Sequence, residues 1–399
     1  MNINAPKLRS YFKYKKFQGP SYRIIFLTFD YFLQGQLISE LERRGHQVIP
    51  LSIPTGQAVK AVLHTILTKA IEVRPDAIMS LNSLGFDSKG LVINVLSEME
   101  IPVIIWYQDN HLFDGPYFQD SSPDWAIAFT YERTALPTLR EVGFQHAYYL
   151  PLATDESICG DPTQRPDTSL QEKVTFVGTT FAKADKKYFH REFKQLLEKW
   201  DIDLAAIKRQ EGRLELEPVF APFRDKFDSS EVFYHFMASV VVQQTRRHRL
   251  AVLKALIDDI PLAIFGPEDW LKHIPAEIFR GPVEHGPEAA GVFRSSGVNL
   301  SLTTFQQETA LNQRYFDIPL CGGFLLSEWQ DAVADHFDLE SEAITFMTID
   351  ELRDKSRYYL QHPAAREKII AKARRRVERE HLIKHRVTTI LDTVKGLVN

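Results

Sequence analysis

Short, continuous apolar runs alternate along this chain with segments whose apolar residues recur at every third or fourth position. Residues 23–29 form the first apolar run, which predicts a strand covered on both faces. Leu33, Leu37 and Leu41 follow at helical spacing, and residues 46–51 form the next apolar run. The order of strand, helix and strand is typical of a β-α-β unit, so we expect a parallel sheet.

The same alternation continues through two halves of the chain, and each half contains several buried strands. Further strands are predicted at 76–81, 101–107, 124–129 and 146–151, and then at 173–177, 261–265, 298–302, 324–327 and 344–346. Helices are predicted at 58–71, 90–99, 135–142, 189–200, 233–257 and 364–398, whereas the polar stretch 207–230 gives no assignment. Two sheets of this kind predict an α/β protein with two doubly wound, Rossmann-like domains.

A segment without periodicity separates the two halves. Residues 153–172 contain several Pro, Gly and Asp residues, which favours an interdomain linker. The chain is therefore divided into an N-terminal extension (1–20), an N-terminal Rossmann-like domain (21–155), a linker (156–172), a C-terminal Rossmann-like domain (173–376) and a C-terminal helix (377–399). This last helix could cross back to pack on the N-terminal domain.

Composition narrows the class of protein. A length of 399 residues suits two domains rather than one, and a net charge of −4 provides no positive field for nucleic acid. The two cysteines, Cys159 and Cys321, are far apart in sequence, which argues against a disulfide framework and a cysteine-based zinc site. No apolar run approaches the roughly 18 residues that a membrane-spanning helix needs, and no signal peptide is evident. We therefore expect a cytoplasmic protein.

The N-terminal extension is basic and aromatic and contains no acidic residue. One interpretation is a solvated tail that is partly packed through its aromatic side chains. The other is a patch that contacts a partner or an anionic membrane surface.

Ligands of doubly wound folds bind at the carboxyl ends of the strands, so the residues just after each strand carry the candidate chemistry. In the second half the richest segment is 312–326. Arg314 and Asp317 are three residues apart and share a helix face, and Gly322 and Gly323 separate that helix from the next strand. A guanidinium suits phosphate oxygens and a carboxylate suits vicinal hydroxyls, which favours a site for a diphosphate and a ribose. The alternative is an ordinary surface ion pair with a glycine cap.

A family resemblance rests on this segment and on its neighbours in chain order. The matching residues are Asn312-x-Arg314-x-Phe316-Asp317, Cys321-Gly322-Gly323, Glu328, Phe337-x-x-x-x-Glu342, Phe176-Val177-Gly178, Ala263-Ile264-Phe265-Gly266 and Gly281-Pro282-Val283. Together they resemble the C-terminal signature of the CgeB-like spore-maturation glycosyltransferases. The resemblance covers residues 173–386, whereas the first half resembles the family only in organisation and at Trp106-x-x-Asp109.

The resemblance implies a GT-B fold, in which two Rossmann-like domains face a central cleft. It implies transfer of a sugar from a nucleotide-diphosphate sugar, of UDP type, to a glycan, protein or small-molecule acceptor. The resemblance also implies a bacterial enzyme that acts in cell-surface glycan biosynthesis. GT-B enzymes generally neutralise the leaving diphosphate with side chains and helix ends, so neither a metal nor a separate cofactor is expected.

Donor-site roles follow from the same resemblance. The residues expected to contact the nucleotide-sugar are Gly178, Thr179, Gly266, Asn312, Arg314, Asp317, Gly322, Gly323 and Glu342. The family usually has Glu where this chain has Asp317, which is one methylene shorter. That difference puts the ribose contact in doubt, and the sequence leaves the retaining or inverting course open.

The N-terminal half is expected to hold the acceptor. An inverting enzyme needs a general base near the acceptor hydroxyl, and three residues after predicted strands could serve: Asp30, Asp109 and His111. Asp109 ranks first because the resemblance reaches it. The alternative for Asp30 is a helix N-cap, and for His111 a loop histidine satisfied by Asp109 or Asp114.

Three rival functions stay open at this stage. A GT-B-like nucleotide-sugar epimerase would share the donor site but isomerise its substrate. A non-catalytic nucleotide-sugar-binding protein is favoured by Asp317 in place of Glu. A dinucleotide-dependent dehydrogenase lacks support, because no Gly-x-Gly-x-x-Gly motif follows residues 22–29.

Overall fold

The computed structural model describes residues 5–29, 31–54, 56–114, 123–161, 166–188, 193, 196, 199–200 and 202–398. They form two compact units. The first comprises Met1–Pro151 and Ile383–Asn399, and the second comprises Leu152–Leu382. Within the described part, no helix is both long enough and apolar enough to cross a lipid bilayer.

The first unit is built on a parallel sheet of six strands in the order β2-β1-β3-β4-β5-β6. The strands are β1 (Arg23–Thr28), β2 (Gln47–Ser52), β3 (Ala77–Leu81), β4 (Val103–Tyr107), β5 (Ala126–Thr130) and β6 (His146–Tyr149). Every residue of β3, β4 and β5 is buried, as expected for parallel strands with helices on both faces. The chain reverses its direction of winding at β1, which lies between β2 and β3.

Seven helices are described in this first unit. They are Ala5–Phe12, Gln34–Arg43, Val59–Val73, Leu91–Glu98, His111–Asp114, Ala135–Glu141 and Ile383–Val398. The last of these helices contacts the N-terminal part of the unit. Arg44 donates hydrogen bonds to Lys384 O and, over 2.8 Å, to Thr388 Oγ1.

The N-terminal extension is anchored on the first unit through its aromatic side chains. Phe12 and Phe17 are buried, and Tyr14 donates a hydrogen bond of 2.5 Å to Pro75 O. Lys16 is also buried and donates to Phe12 O over 2.9 Å. Phe12 and Phe17 therefore belong to the core, whereas Tyr11 is exposed, in line with a tail that is partly packed through its aromatic side chains. Contact with a membrane stays a prediction.

The second unit contains a parallel sheet of five strands in the order β11-β10-β9-β7-β8. These are β7 (Val174–Val177), β8 (Leu262–Phe265), β9 (Val298–Ser301), β10 (Leu325–Glu328) and β11 (Ile344–Phe346). Since β7 lies between β8 and β9, the winding reverses at β7, which is where doubly wound sheets bind their ligands. All the predicted strands are present in the two sheets to within a few residues.

Three helices of the second unit begin after a residue whose side chain caps them. Asp203 accepts from Ala206 N, Ser229 from Val232 N and Thr348 from Glu351 N. The described helices are Ala182–Tyr188, Leu204–Glu211, Leu216–Phe220, Ser230–Lys254, Pro287–Ser295, Arg314–Leu320, Val333–His336, Ile349–Gln361 and Pro363–Glu380. Part of the unassigned stretch 207–230 is therefore helical, and the predicted helix 189–200 falls largely outside the described residues.

Gly323 fixes how closely the helix Arg314–Leu320 packs on the sheet. A Cβ atom at this position would lie 2.7 Å from Phe293 O, 2.9 Å from Asn299 Nδ2 and 2.9 Å from Ile318 Cγ2. Backbone and a buried strand side chain surround the site, so no flexible group can move aside.

We expect Gly323→Ala to lower the free energy of unfolding by about 1–3 kcal/mol, because the added methyl group overpacks this contact. Urea unfolding measures the change. The matched control is Gly396→Ala, where a Cβ would meet nothing within 4 Å in the helix Ile383–Val398. The control should be neutral or stabilising by less than about 1 kcal/mol. Equal stabilities of the two variants would contradict this account of the packing.

Candidate functional site

The carboxyl ends of β7, β8, β9 and β10 meet at one edge of the second sheet, because all four strands are parallel. Gly178 follows β7, Gly266 follows β8, and Glu328 is the last residue of β10. This carboxyl edge includes the point where the winding reverses, so it is the place to look for a ligand site.

Arg249 brings a buried cation to the carboxyl edge. It comes from the helix Ser230–Lys254, is 5% exposed, and donates from Nη1 to Thr179 O over 3.0 Å. Its guanidinium lies 4.5 Å from the centroid of the Phe181 ring. Burial, together with the nearby charge of Arg314, lowers the pKa of Arg249 to about 9. Arg249 is therefore still a cation at neutral pH, but one held in a poorly hydrated place.

Arg314 is the second cation at this edge and the first residue of the helix Arg314–Leu320. Its backbone N donates to Asn312 Oδ1 over 3.0 Å, and Asn312 Nδ2 donates to Ser301 Oγ in β9 over 2.9 Å. Asn312 thus ties the start of this helix to the sheet. Burial lowers the pKa of Arg314, although the nearby charge of Asp317 opposes the shift.

Glu328 acts to raise the pKa of Arg249 and Asp317 acts to raise that of Arg314, but neither carboxylate forms an ion pair with these arginines in the described part of the chain. No ion pair to Arg249 or Arg314 occurs there, and the Nε atom of each is buried without a hydrogen-bond partner. Two guanidinium groups that are close enough to affect each other are unfavourable unless an anion joins them. The pair is therefore suited to bind an anionic group with several oxygens, such as a diphosphate.

A second charged cluster at the same edge, by contrast, is internally neutralised. Glu328 Oε1 lies 3.0 Å from His248 Nε2 and 3.9 Å from Lys208 Nζ, and Glu328 Oε2 accepts from Thr303 Oγ1 over 2.9 Å. Lys208 also donates to Gln330 Oε1 over 2.9 Å. Burial alone would raise the pKa of Glu328, but the charge of Lys208 and the hydrogen-bonding contacts with His248 and Thr303 hold it well below its usual range.

Asp317 is buried one turn after Arg314 and has two side-chain donors. His285 Nε2 lies 3.0 Å from Asp317 Oδ2, and Gln313 Nε2 donates to Asp317 Oδ1 over 2.9 Å. Gln313 also donates to Ala153 O. The carboxylate is thus held by the neighbouring loop and by its own helix, and the His285 ring leads from it to the surface, since 36% of that side chain is exposed.

Glycine allows the loops after β7 and β8 to approach closely. Trp270 Nε1 donates to Gly178 O over 2.8 Å. A Cβ on Gly266 would lie 2.2 Å from Gly178 O and 2.7 Å from Trp270 Nε1, so only glycine fits there. Gly178, Thr179 and Gly266 are therefore brought together at the carboxyl edge, as predicted for strand ends.

The remaining donor-site candidates lie toward the opposite ends of the strands. Gly322 and Gly323 precede β10, and Glu342 precedes β11. Glu342 Oε2 lies 2.9 Å from Arg376 Nε and accepts from Asp338 N over 2.9 Å. The structure does not bring these three residues together with Arg249 and Arg314. Their contact with a nucleotide-sugar stays a prediction.

In the first unit, Asp109 lies in a polar cluster at the carboxyl end of β4. Tyr31 OH donates to Asp109 Oδ2, and Asn82 Nδ2 donates to the same oxygen over 3.0 Å. Asn82 Oδ1 accepts from Gln108 N over 2.6 Å and from Asp109 N over 3.1 Å. Residues that follow β1, β3 and β4 thus converge on one carboxylate, which is partly exposed.

His111 and Asp30 complete the acceptor-side candidates. His111 is buried, and its Nε2 lies 3.1 Å from Thr138 Oγ1. Burial lowers the pKa of His111 to about 3, so the ring is neutral at physiological pH and a poor proton acceptor. Asp30 lies outside the described residues.

Several residues of the carboxyl edge have no role in the sequence analysis. Lys208 comes from the stretch that gave no assignment. His248 and Arg249 come from the basic helical segment 245–250, for which the sequence predicts that one or two arginines face the cleft and that most of the segment is solvated surface. Glu328 is part of the resemblance but has no role assigned by it. The available signal was the charge of Glu328 directly after the apolar run of β10. Among the described residues, no cluster of three His, Cys, Asp or Glu side chains is arranged to hold a metal ion.

Part of the carboxyl edge lies in a segment that is similar to a known protein family. Residues 246–392 match a family described as glycosyl transferase-like. This span covers less than half of the chain but includes Arg249, Arg314, Asp317 and Glu328. No curated protein sequence matches the chain.

Solved structures that are similar to the chain share its architecture over nearly the whole length. Sucrose-phosphate synthase from Thermosynechococcus elongatus has a TM-score of 0.57 and 9% identity, with 94% of this chain and 99% of that chain covered. Anabaena HepE in complex with UDP and glucose has a TM-score of 0.52 and 10% identity, covering 94% and 100%. AviGT4, a glycosyltransferase of avilamycin A biosynthesis, has a TM-score of 0.52 and 12% identity, covering 94% and 98%.

These likenesses confirm the predicted GT-B fold, with two α/β units that each contain a parallel sheet. The family match is confined to residues 246–392, so it describes that segment and not the whole chain. Because the identities are low, the substrates do not follow from the comparison.

We expect Glu328→Gln to lower the free energy of unfolding by about 3 kcal/mol at pH 7, because Lys208 would lose its buried counter-charge. The folded pKa of Glu328 lies below its unfolded value of about 4.3, so its contribution is complete above that pH. The difference between wild type and variant should therefore shrink as the pH falls below about 4.3. Urea unfolding at pH 7, 5 and 3.5 measures it.

The matched control for this prediction is Glu378→Gln. Glu378 pairs with Arg374 on an exposed helix surface, and 40% of its side chain is exposed. Its replacement should change stability by less than about 0.5 kcal/mol at every pH. If Glu328→Gln behaved like this control, the buried ion cluster would not stabilise the fold.

Proposed function

We propose that the chain is a glycosyltransferase that moves a sugar from a nucleotide-diphosphate sugar, of UDP type, to an acceptor. The observation that carries this proposal is the pair of poorly hydrated cations, Arg249 and Arg314, at the carboxyl edge of the second sheet. Both residues lie in the segment that matches the glycosyl transferase-like family. The complex of HepE with UDP and glucose supports a UDP-type donor.

The two guanidinium groups would act on the leaving group. When the bond between the anomeric carbon and the phosphate oxygen breaks, its electron pair stays on that oxygen and the diphosphate gains negative charge. Cations that are already positioned and poorly hydrated stabilise this developing charge more strongly than water does. Removal of either cation should therefore slow the transfer step as well as weaken binding.

Asp317 would accept hydrogen bonds from the ribose hydroxyls. It is fixed by His285 and Gln313, and these contacts leave further lone pairs on its two oxygens. Gly178, Thr179 and Gly266 would let backbone groups approach the phosphates and the base. Asn312 would hold the helix that presents Arg314, while Gly322, Gly323 and Glu342 stay predicted contacts.

The first unit would bind the acceptor, with Asp109 as the general base. Tyr31 and Asn82 both donate to Asp109 Oδ2, an arrangement that orients the carboxylate. A glycan, a protein or a small molecule could each supply the acceptor hydroxyl. We propose in addition that the chain belongs to the CgeB-like family. It would act in the bacterial cytoplasm, in the synthesis of cell-surface glycans.

A non-catalytic nucleotide-sugar-binding protein is the second candidate. The presence of Asp317, where the resembling family has Glu, and its engagement by His285 and Gln313 favour it. A panel of sugar nucleotides distinguishes the two functions: both predict a rise in melting temperature with one nucleotide, but only the transferase releases free nucleoside diphosphate with turnover. An epimerase would convert the sugar without a second substrate. If no nucleotide raises the melting temperature, the proposed donor site is wrong.

Arg314→Met should weaken binding of a nucleoside diphosphate by roughly 10- to 100-fold, because one charge-assisted hydrogen-bonding group is lost. In the absence of nucleotide the same variant should be more stable by about 1 kcal/mol, since a poorly hydrated cation is replaced by an apolar side chain. Calorimetric titration and urea unfolding measure the two effects.

Arg374→Met serves as the control for Arg314→Met, because 53% of the Arg374 side chain is exposed. It should leave the affinity for the nucleotide unchanged. Unchanged affinity in Arg314→Met would place the phosphate site elsewhere. A loss of stability without nucleotide would contradict the description of Arg314 as a poorly hydrated cation.

Asp109→Asn should lower the transfer rate by about 10²- to 10⁴-fold if the enzyme inverts, because the general base is lost. The affinity for the nucleoside diphosphate should not change. Steady-state kinetics with the identified donor and acceptor test this, with the exposed residue Asp124 replaced by Asn as the control. A rate within tenfold of the wild type would exclude Asp109 as the base.

A further inference from the structure

The two cysteines of the chain, 162 positions apart, are in direct contact within the second unit. Cys159 Sγ lies 2.7 Å from Cys321 Sγ. A disulfide bond has a sulfur–sulfur distance of about 2.05 Å, so the two atoms need to approach by only roughly 0.7 Å. This contact is not expected from the sequence, in which the distance between the two cysteines argues against a disulfide framework.

Separate contacts position Cys159, so its meeting with Cys321 does not depend on one loop conformation. Cys159 ends the 3-10 turn Glu156–Cys159, in which Ile158 is buried. Arg294 Nη1 donates to Cys159 O over 2.6 Å. Gly160 packs so closely on Pro287 that a Cβ would lie 2.8 Å from the proline Cβ. The turn is thus fixed on the helix Pro287–Ser295.

Cys321 lies at the other end of the helix that carries Arg314 and Asp317. Its backbone N donates to Asp317 O over 3.0 Å, and its side chain is buried. A bond between the two sulfurs would therefore join the 3-10 turn to the C-terminal end of this helix.

The two thiols are not equivalent. Cys159 is partly exposed, whereas Cys321 is 3% exposed. The hydrogen bond from the Cys321 thiol lowers the pKa of Cys159, and the same contact together with burial raises the pKa of Cys321. The thiolate therefore forms at the accessible sulfur, which is the arrangement of an attacking cysteine beside a resolving one.

We propose that Cys159 and Cys321 form a reversible redox pair that reacts with hydroperoxides and closes to an intramolecular disulfide. Closure tethers the turn Glu156–Cys159 to the helix Arg314–Leu320. Since this site takes an oxidant rather than a sugar nucleotide, it is independent of the proposed transferase activity.

The reaction balances with hydrogen peroxide as the oxidant. The Cys159 thiolate attacks one peroxide oxygen, the O–O bond breaks, and hydroxide leaves, so that Cys159 becomes a sulfenic acid. Cys321 then attacks the sulfenic sulfur, the S–O bond breaks, and the thiol proton leaves with the hydroxide as water. Each sulfur loses one electron, and one peroxide is reduced to two waters. A dithiol such as dithiothreitol reverses the bond by exchange.

Closure should raise the melting temperature, because the bond joins residues 162 positions apart and restricts the unfolded chain. Little strain should oppose this gain, since both sulfurs are already adjacent in the reduced protein.

The test uses the full-length protein, reduced and then treated with equimolar hydrogen peroxide. Intact-mass spectrometry should show the loss of two hydrogens from the monomer, and a non-reducing peptide map should join the peptides of Cys159 and Cys321. The melting temperature should rise on oxidation and return to its first value with dithiothreitol. A fully reduced mass after this treatment, or a disulfide found only between two molecules, would overturn the proposal.

Single substitutions give the matched controls. Cys321→Ser should stop at a sulfenic acid on Cys159, which a cyclic 1,3-diketone probe labels. In Cys159→Ser, the buried Cys321 should stay unlabelled. The melting temperature of this variant should not change with peroxide. Labelling of Cys321 rather than Cys159 would contradict the assigned order of attack.

Discussion

The structure of the second unit depends on how it accommodates two cations, Arg249 and Arg314, at an edge with little water. Transfer of an arginine from water to such a place is unfavourable unless an anion compensates it. The lowered pKa values of both residues reflect this cost. A fold that keeps such a pair without carboxylate partners in its described part has a site that an external anion completes.

The neighbouring cluster shows that the same edge can neutralise its charges internally. Glu328 has Lys208, His248 and Thr303 as partners, and its pKa is lowered accordingly. The carboxyl edge therefore carries two sets of charges. The closed set, around Glu328, is neutralised by protein groups, whereas the open set, Arg249 and Arg314, is available to a ligand. The closed set joins the ends of β9 and β10, because Thr303 N and Oγ1 both donate to Glu328 Oε2.

Much of the fold could be predicted from local pattern. The strands β3, β4 and β5 are apolar at almost every residue, and such runs have few interpretations other than a covered parallel strand. Arg314 and Asp317 were also identifiable, because their spacing on one helix face is a local property. The positions of Gly178 and Gly266 could be predicted in the same way, because each directly follows an apolar run.

The rest of the site depends on contacts between residues far apart in sequence, which periodicity does not encode. Arg249 belongs to a helix with buried residues on most of its faces, so its direction could not be deduced from spacing. Glu342 shows the converse: its family spacing suggested a ligand contact, whereas the fold places it beside Arg376. The contact of Cys159 with Cys321 likewise arises only when the turn after the unit boundary packs on the helix Pro287–Ser295.

Calorimetric titration of the wild-type protein with UDP and, in parallel, with uridine tests the central claim most directly. If Arg249 and Arg314 bind the diphosphate, UDP should bind at least 100-fold more tightly than uridine, a difference of about 2.7 kcal/mol. Added salt should weaken the binding of UDP. Equal affinities for UDP and uridine, or no binding of either, would contradict this claim.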